Sequence, residues 1–163
     1  MSEKKAFLDA WEREAATTVK VLRAFPAGQE NFKPHDTCRS AKELGWTFVM
    51  EGAAATQAVQ GEFKFPPANL PPMPSSWSGV VTEVERVLKN MADTVRNVDD
   101  RQLSSTIKFH TAPKQVGDVR RQDFLWLMLN DQIHHRGQFS VYLRMAGGKV
   151  PAIYGPSKDE PWQ

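Results

Sequence analysis

Apolar residues recur every three or four positions in four segments of the chain, which is the period of an amphipathic helix. The first segment runs from about Lys5 to Phe25, and the second from Ser40 to about Gln60. The third runs from Ser78 to Asn97, and the fourth from about Gln122 to Ala146. The pattern therefore predicts four long helices.

Residues that favour helix ends stand at most of these boundaries. Pro26 follows the first helix, and Gly147-Gly148 is a natural stop for the fourth. Ser40 has a glutamate, Glu43, three residues later, which is the spacing of a capping box. These signals support the segment limits that the periodicity gives.

The connections between the helices differ in character. Prolines dominate residues 66–74, so this segment is neither a helix interior nor a central strand, and we expect a stiff, extended crossover. Residues 101–119 are less periodic, and alternation at 107–110 predicts a loop or a hairpin. Together the segments predict one all-α domain over residues 1–163, a four-helix bundle with a long crossover and an irregular C-terminal tail.

The composition narrows the class of protein. A chain of 163 residues is long enough to bury roughly two thirds of its unfolded surface. Its single cysteine, Cys38, excludes an internal disulfide, and no signal peptide or membrane-spanning stretch is evident. We therefore expect a cytoplasmic protein in which Cys38 is inert.

The charges are balanced, with 21 basic and 19 acidic residues and a net charge of +2. Lysine and arginine are scattered along the chain and form no dense basic stripe for phosphate binding. No predicted helix combines a basic face with a broad apolar one. The sequence therefore predicts neither nucleic acid nor a membrane as a partner.

Ligand-type side chains interrupt the apolar face of the fourth predicted helix. At about 100° per residue, one face of that helix contains Phe124, Met128, Asp131, His135, Gln138 and Tyr142. Asp131 and His135 are four residues apart and can reach one ion. An equally simple interpretation is a buried, hydrogen-bonded pair without an ion.

The opposite face of the same helix is unusually apolar for a solvent-exposed surface. It contains Trp126, Asn130, Ile133, Gly137 and Arg144. Close packing against a second copy of the chain would explain this face, so a homodimer is predicted. Alternatively, the proline crossover or the C-terminal tail covers Trp126 and Ile133.

Residues 129–160 carry a specific series of motifs. Residues 130–138 read NDQIHHRGQ, residues 142–144 read YLR, and residues 150–157 read VPAIYGPS. A second match, SAKEL at residues 40–44, stands at the start of the second helix. In this series the chain resembles the DinB/YfiT-like family of metal-binding four-helix bundles.

The resemblance implies a divalent metal site with three histidine ligands, one on the second helix and two on the fourth. By position these ligands fall on Thr47, Asp131 and His135, so only one of the three is a histidine. Glu51, one turn after Thr47, could join Asp131 and His135 in a site of two carboxylates and one imidazole. Oxygen ligands would move the preference away from zinc and nickel and towards manganese, iron(II) or magnesium.

The resemblance leaves two functions open. In the first, an ion activates water or a low-molecular-weight thiol, as in metal-dependent thiol transferases and hydrolases. In the second, no metal is bound, and the chain is a non-catalytic dimeric bundle that binds a small molecule. In either case we expect Thr47, His134, Gln138 and Tyr142 to lie in the pocket.

Overall fold

The computed structural model describes residues 2–61, 63–64, 66–67 and 70–163. The four predicted long helices are α1 (Glu3–Arg23), α2 (Ala41–Gln60), α3 (Trp77–Asn97) and α5 (Arg121–Met145). Between the last two lie the short helix α4 (Asp100–Ser104) and the strands β1 (Thr106–Ala112) and β2 (Gln115–Arg120). The prediction of a mainly helical chain is confirmed, with a two-stranded sheet in addition.

Side-chain caps mark the starts of the helices before α5, which has no such cap from the residues that the structure describes. The predicted capping box at α2 is present: the Glu43 amide donates to Ser40 Oγ at 3.2 Å, and the Glu43 carboxylate accepts from the Ser40 amide at 2.7 Å. Helix α3 starts one residue before its predicted limit, because Ser76 Oγ accepts from the Gly79 amide at 3.2 Å. Gly147 follows α5 with a φ of 84°, as expected for a C-terminal stop.

The long helices pack around one apolar core. Helix α2 contacts α3 and α5, and α1 contacts the same two helices. Buried tryptophans tie α1 to α3, since Trp11 Nε1 donates to the Leu88 carbonyl at 3.0 Å and Trp77 Nε1 donates to the Leu22 carbonyl at 2.9 Å. No helix in the described part of the chain is long and apolar enough to cross a membrane.

The segment predicted as a loop or hairpin is an antiparallel hairpin of β1 and β2. Its turn contains Pro113 and Lys114, and Lys114 has a φ of 62°. Ile107 is buried against the core, and Phe109 is half-buried beside Phe124 of α5. The hairpin therefore gains its stability from packing on the helices, which an isolated pair of strands would lack.

The crossover and the tail are irregular, as predicted. The described residues of the proline segment 66–74 form neither helix nor strand, while Ala68 and Asn69 lie outside the described residues. The tail folds back along α1, where the Tyr154 hydroxyl donates to Glu14 at 2.7 Å and Lys20 pairs with Glu160 at 2.7 Å. The tail is thereby held against α1 by these two contacts.

Candidate metal centre

The three residues predicted as ligands are brought together across two helices. Glu51 comes from α2, and Asp131 and His135 come from successive turns of α5. One ligand-type atom from each lies within 4.8 Å of the others. His135 Nδ1 is 2.6 Å from Glu51 Oε1 and 3.8 Å from Asp131 Oδ1. The group has the composition and the spacing of a possible metal-binding triad.

Two members of this triad have buried polar atoms without hydrogen bonds. Within the described residues, both carboxylate oxygens of Glu51 and Nδ1 of His135 have no hydrogen-bond partner. Although Nδ1 and Oε1 are only 2.6 Å apart, their contact is not aligned as a hydrogen bond. Buried groups of this kind cost folding free energy unless something binds to them. A cation between the two side chains would satisfy both.

Burial sets the electrostatics of the pair. It raises the pKa of Glu51 to about 7, against the lowering effect of His135, and the nearby Asp131 charge raises it further. The Glu51 carboxylate raises the pKa of His135, while burial of the imidazole opposes that shift. Glu51 therefore retains a proton to unusually high pH in the absence of a cation.

Thr47 lies one turn from Glu51, but its hydroxyl, unlike the Glu51 carboxylate, has hydrogen-bond partners among the described residues. Its hydroxyl accepts a hydrogen bond from Nη1 of Arg39 at 2.9 Å and donates to the Glu43 carbonyl at 3.2 Å. A guanidinium thus lies beside the position where the resemblance implied a histidine ligand. Sequence reasoning missed Arg39, although its place directly before the capping residue Ser40 fixes it at the start of α2.

Three residues predicted in the pocket do not line it. His134 and Gln138 are exposed, and their Nε2 atoms lie 2.8 Å apart on the outer surface of α5. Tyr142 is buried, and its hydroxyl donates to the Arg39 carbonyl at 3.0 Å. A helical wheel orders these side chains around α5 but does not show which neighbour each one contacts.

The predicted dimer face is partly covered within the chain. Trp126 packs edge-on against Phe7 of α1 with ring centroids 5.3 Å apart, and Ile133 is half-buried against the core. Arg144 pairs with Asp159 of the tail. Gly137 is exposed, with open space where a Cβ would stand. Core and tail contacts thus account for part of the apolar character that motivated the dimer prediction.

Arg136, next to His135 in the sequence, belongs to a different cluster. Its guanidinium is 2% exposed and contacts Glu14, with Nη2 2.7 Å from Glu14 Oε2 and Nη1 3.1 Å from the Glu14 carbonyl. The Tyr154 hydroxyl lies against the same pair. This cluster is a structural tie between α1, α5 and the tail.

The candidate triad opens into a cavity of about 660 Å³ between α2, α5 and the hairpin. Its apolar wall includes Phe63, Phe109 and Phe124, whose ring centroids are 4.8 to 5.3 Å apart. Thr47 and Arg39 also line it. The volume and the mixture of apolar wall and few polar groups are typical of small-molecule sites.

The fold and the sequence place the protein in a known class. The chain belongs to the DinB family, whose sequence profile matches residues 1–163. It is 28% identical over 160 residues to the uncharacterized protein YrdA of Bacillus subtilis strain 168, covering 94% of this chain and 89% of that protein. The likeness extends over nearly the full length of both proteins.

Two solved structures share the fold. A DinB-like protein from Bacillus cereus ATCC 10987 superposes with a TM-score of 0.74 at 21% identity, covering 92% of this chain and 97% of that one. A DinB-like protein from Bacillus subtilis also gives 0.74 at 17% identity, with coverage of 91% and 97%. At these identities the likeness concerns the fold alone.

Proposed function

We propose that this chain is a DinB-type four-helix-bundle protein that binds one divalent metal ion through Glu51, Asp131 and His135. We further propose that it uses this ion on a small molecule, as a thiol transferase or hydrolase. The observation that carries the proposal is the set of buried Glu51 and His135 atoms that have no hydrogen-bond partner. A divalent cation bound between the two side chains would satisfy these atoms and would replace their direct 2.6 Å contact.

The ligand chemistry favours a particular group of metals. Two carboxylates and one imidazole form a harder set than three histidines, which favours manganese or iron(II) over zinc or nickel. When bound, such an ion would lower the pKa of water or a thiol and polarise a carbonyl. Thr47 adds no ligand in this proposal, because Arg39 already binds its hydroxyl.

The three proposed ligands and the aromatic wall would have different roles. The Glu51 and His135 side chains are 8% and 16% exposed and form the inner part of the triad, whereas Asp131 is 42% exposed at its rim. A ligand in the cavity would therefore approach past Asp131. The aromatic wall formed by Phe63, Phe109 and Phe124 limits access of water from the hairpin side.

Metal analysis of protein purified without an affinity tag tests the proposal. After manganese, iron, nickel and zinc are supplied in turn, we expect about one equivalent of ion per chain in the wild type. His135→Ala should abolish this binding, whereas His134→Ala, a change of the exposed neighbouring histidine, should leave it unaltered. No stoichiometric ion, or undiminished binding by His135→Ala, would overturn the proposal.

A second candidate function follows from one specific contact. The Arg39 guanidinium lies at the candidate site on Thr47, where its positive charge disfavours a second cation nearby. On this basis the chain would be a non-catalytic, dimeric bundle that binds a small molecule without metal. The metal analysis separates the two candidates, because only the first expects a stoichiometric ion.

The homodimer has its own test. Measuring the solution mass of the wild type and of Ile133→Glu shows whether the half-buried surface of α5 joins two copies. We expect a wild-type dimer and a monomeric, folded variant. A monomeric wild type at high concentration would contradict the dimer without affecting the metal proposal.

A further inference from the structure

The Arg39 guanidinium is held in place with most of its donors still available. Its Nη1 donates to Thr47 Oγ1, while its Nε and Nη2 groups have no hydrogen-bond or ion-pair partner among the described residues. The Arg39 backbone is fixed as well, because its carbonyl accepts from the Tyr142 hydroxyl and the next residue caps α2. A pre-positioned guanidinium with free donors is well suited to bind a carboxylate.

The lysine that lines the cavity is already paired with a carboxylate. Lys108 of β1 pairs with Asp118 of β2 at 2.8 Å across the hairpin and is 69% exposed. Its charge is therefore screened by a partner and by solvent. Arg39 is also exposed, but it has no carboxylate partner among the described residues, so its charge is the one available to an anionic ligand in this cavity.

The rest of the cavity suits an apolar body. Phe63 from the loop after α2, Phe109 from β1 and Phe124 from α5 form a continuous aromatic surface. Met50 and Met128 add adaptable apolar side chains to the lining. Aromatic rings in such surroundings gain from edge-to-face contacts in addition to their burial.

From this arrangement we propose that the cavity binds an arylalkyl carboxylate, with its carboxylate on Arg39 and its ring against the phenylalanine wall. A phosphate dianion fits less well, since its second negative charge would meet the carboxylates of Glu51 and Asp131, which line the same cavity as the Arg39 guanidinium. The inference rests on the proposed function, because a cation on the triad would remove the repulsion between those carboxylates and the ligand. Arg39 is then the residue that determines specificity for acids over neutral analogues.

Calorimetry with 4-phenylbutyrate and the neutral 4-phenylbutanamide on Mn²⁺-supplied protein tests this assignment. We expect the wild type to bind the acid more tightly than the amide. Arg39→Gln should weaken acid binding about tenfold or more and leave amide binding unchanged, since a hydrogen bond to a charged group is lost. Phe109→Ala should weaken both ligands alike.

Lys108→Gln is the matched control, and it should change acid binding less than about twofold because its charge is already paired. Equal acid affinity in the wild type and Arg39→Gln, or no acid binding to the wild type, would overturn the inference. Either result leaves the metal proposal intact if Mn²⁺ binds in the same titrations. Arg39-dependent acid binding to protein that takes up no Mn²⁺ would instead retain the acid site and reject the metal.

Discussion

His135 and Arg136 are adjacent in α5, yet their side chains lie in two polar clusters on different sides of the helix. Arg136 is buried with four partners in the described structure: the Glu14 carboxylate, the Glu14 carbonyl, the Thr18 hydroxyl and the Tyr154 hydroxyl. His135 lies 2.6 Å from Glu51, but its Nδ1 and both Glu51 oxygens have no hydrogen bonds within the described residues. One cluster is complete, and the other has unused binding capacity.

The contrast separates a structural role from a functional one. A buried charge with full partners holds elements together, and removing one partner is costly. A buried carboxylate that lacks well-formed hydrogen bonds lowers the free energy of unfolding and has oxygens available to bind a cation. Mutations in the two clusters should therefore have opposite effects on the free energy of unfolding. The expected changes decrease in size from Glu14 to the hairpin turn.

The largest effect is expected at Glu14. Glu14→Ala leaves the Arg136 guanidinium buried without its counter-charge, so the free energy of unfolding should fall by about 3–5 kcal/mol in urea titration. The control is Glu12→Ala, on the same helix as Glu14, which removes an exposed ion-pair partner of Arg96 in α3. It should lower the free energy of unfolding by less than about 1 kcal/mol. Equal losses in the two variants would contradict a structural role for the Arg136 cluster.

Next in size is the pH dependence of the metal-free protein. The folded-state pKa of Glu51 is raised from 4.5 to about 7, and that of His135 is raised as well, so the folded chain binds more protons than the unfolded one. Stability should therefore fall as the pH rises from about 5 to 8, by about 2 kcal/mol. Urea titration in the presence of a chelator measures it, and a rise in stability over this range would contradict the assignment.

A smaller effect in the same cluster is expected from Glu51→Met. Replacing the buried carboxylate by an apolar side chain of similar size should raise the free energy of unfolding by about 1 kcal/mol at pH 8 without metal. The variant should also show a flatter pH profile and no metal binding. If it were less stable than the wild type under a chelator, Glu51 would have a structural role like that of Glu14.

The smallest effect concerns the hairpin, which borders the His135 cluster only. Lys114 follows Pro113 in the turn with a φ of 62°, a conformation that favours glycine. Lys114→Gly should raise the free energy of unfolding by about 0.5 kcal/mol, or the Tm by about 1–2 °C. Lys114→Ala, which keeps a Cβ, should give no such gain, and equal gains would rule out backbone strain as the cause.

The sequence predicted the elements well because their signals are local. The periodicity of the four long helices and the capping box at Ser40 need only neighbouring residues. Glu51 could also be named as a candidate ligand from the sequence, since it lies one turn after Thr47 on the same helix. The sequence does not decide between a loop and a hairpin at residues 101–119, because the strands are stabilised by packing against Phe124 and the core. No local pattern shows that packing.

Contacts between distant residues were beyond prediction. Arg136 and Glu14 are 122 residues apart in the chain, and nothing in either segment identifies the other as its partner. Arg39 is a different case, because its side-chain partner Thr47 is only eight residues away, but no periodicity or motif marks an arginine directly before a capping residue. The exposure of His134 and Gln138 was likewise beyond prediction, because a helical wheel gives angles around α5 but not the surfaces that surround it.

The Arg136 cluster also fixes the rotation of α5 about its own axis. A turn of the helix by one residue would take Arg136 away from Glu14, so the buried ion pair holds His135 in its orientation towards α2. The orientation of the site is thus maintained from an adjacent face of the helix. Residues that never contact the candidate ligands, such as Glu14 and Tyr154, therefore help to set the distance between His135 and Glu51.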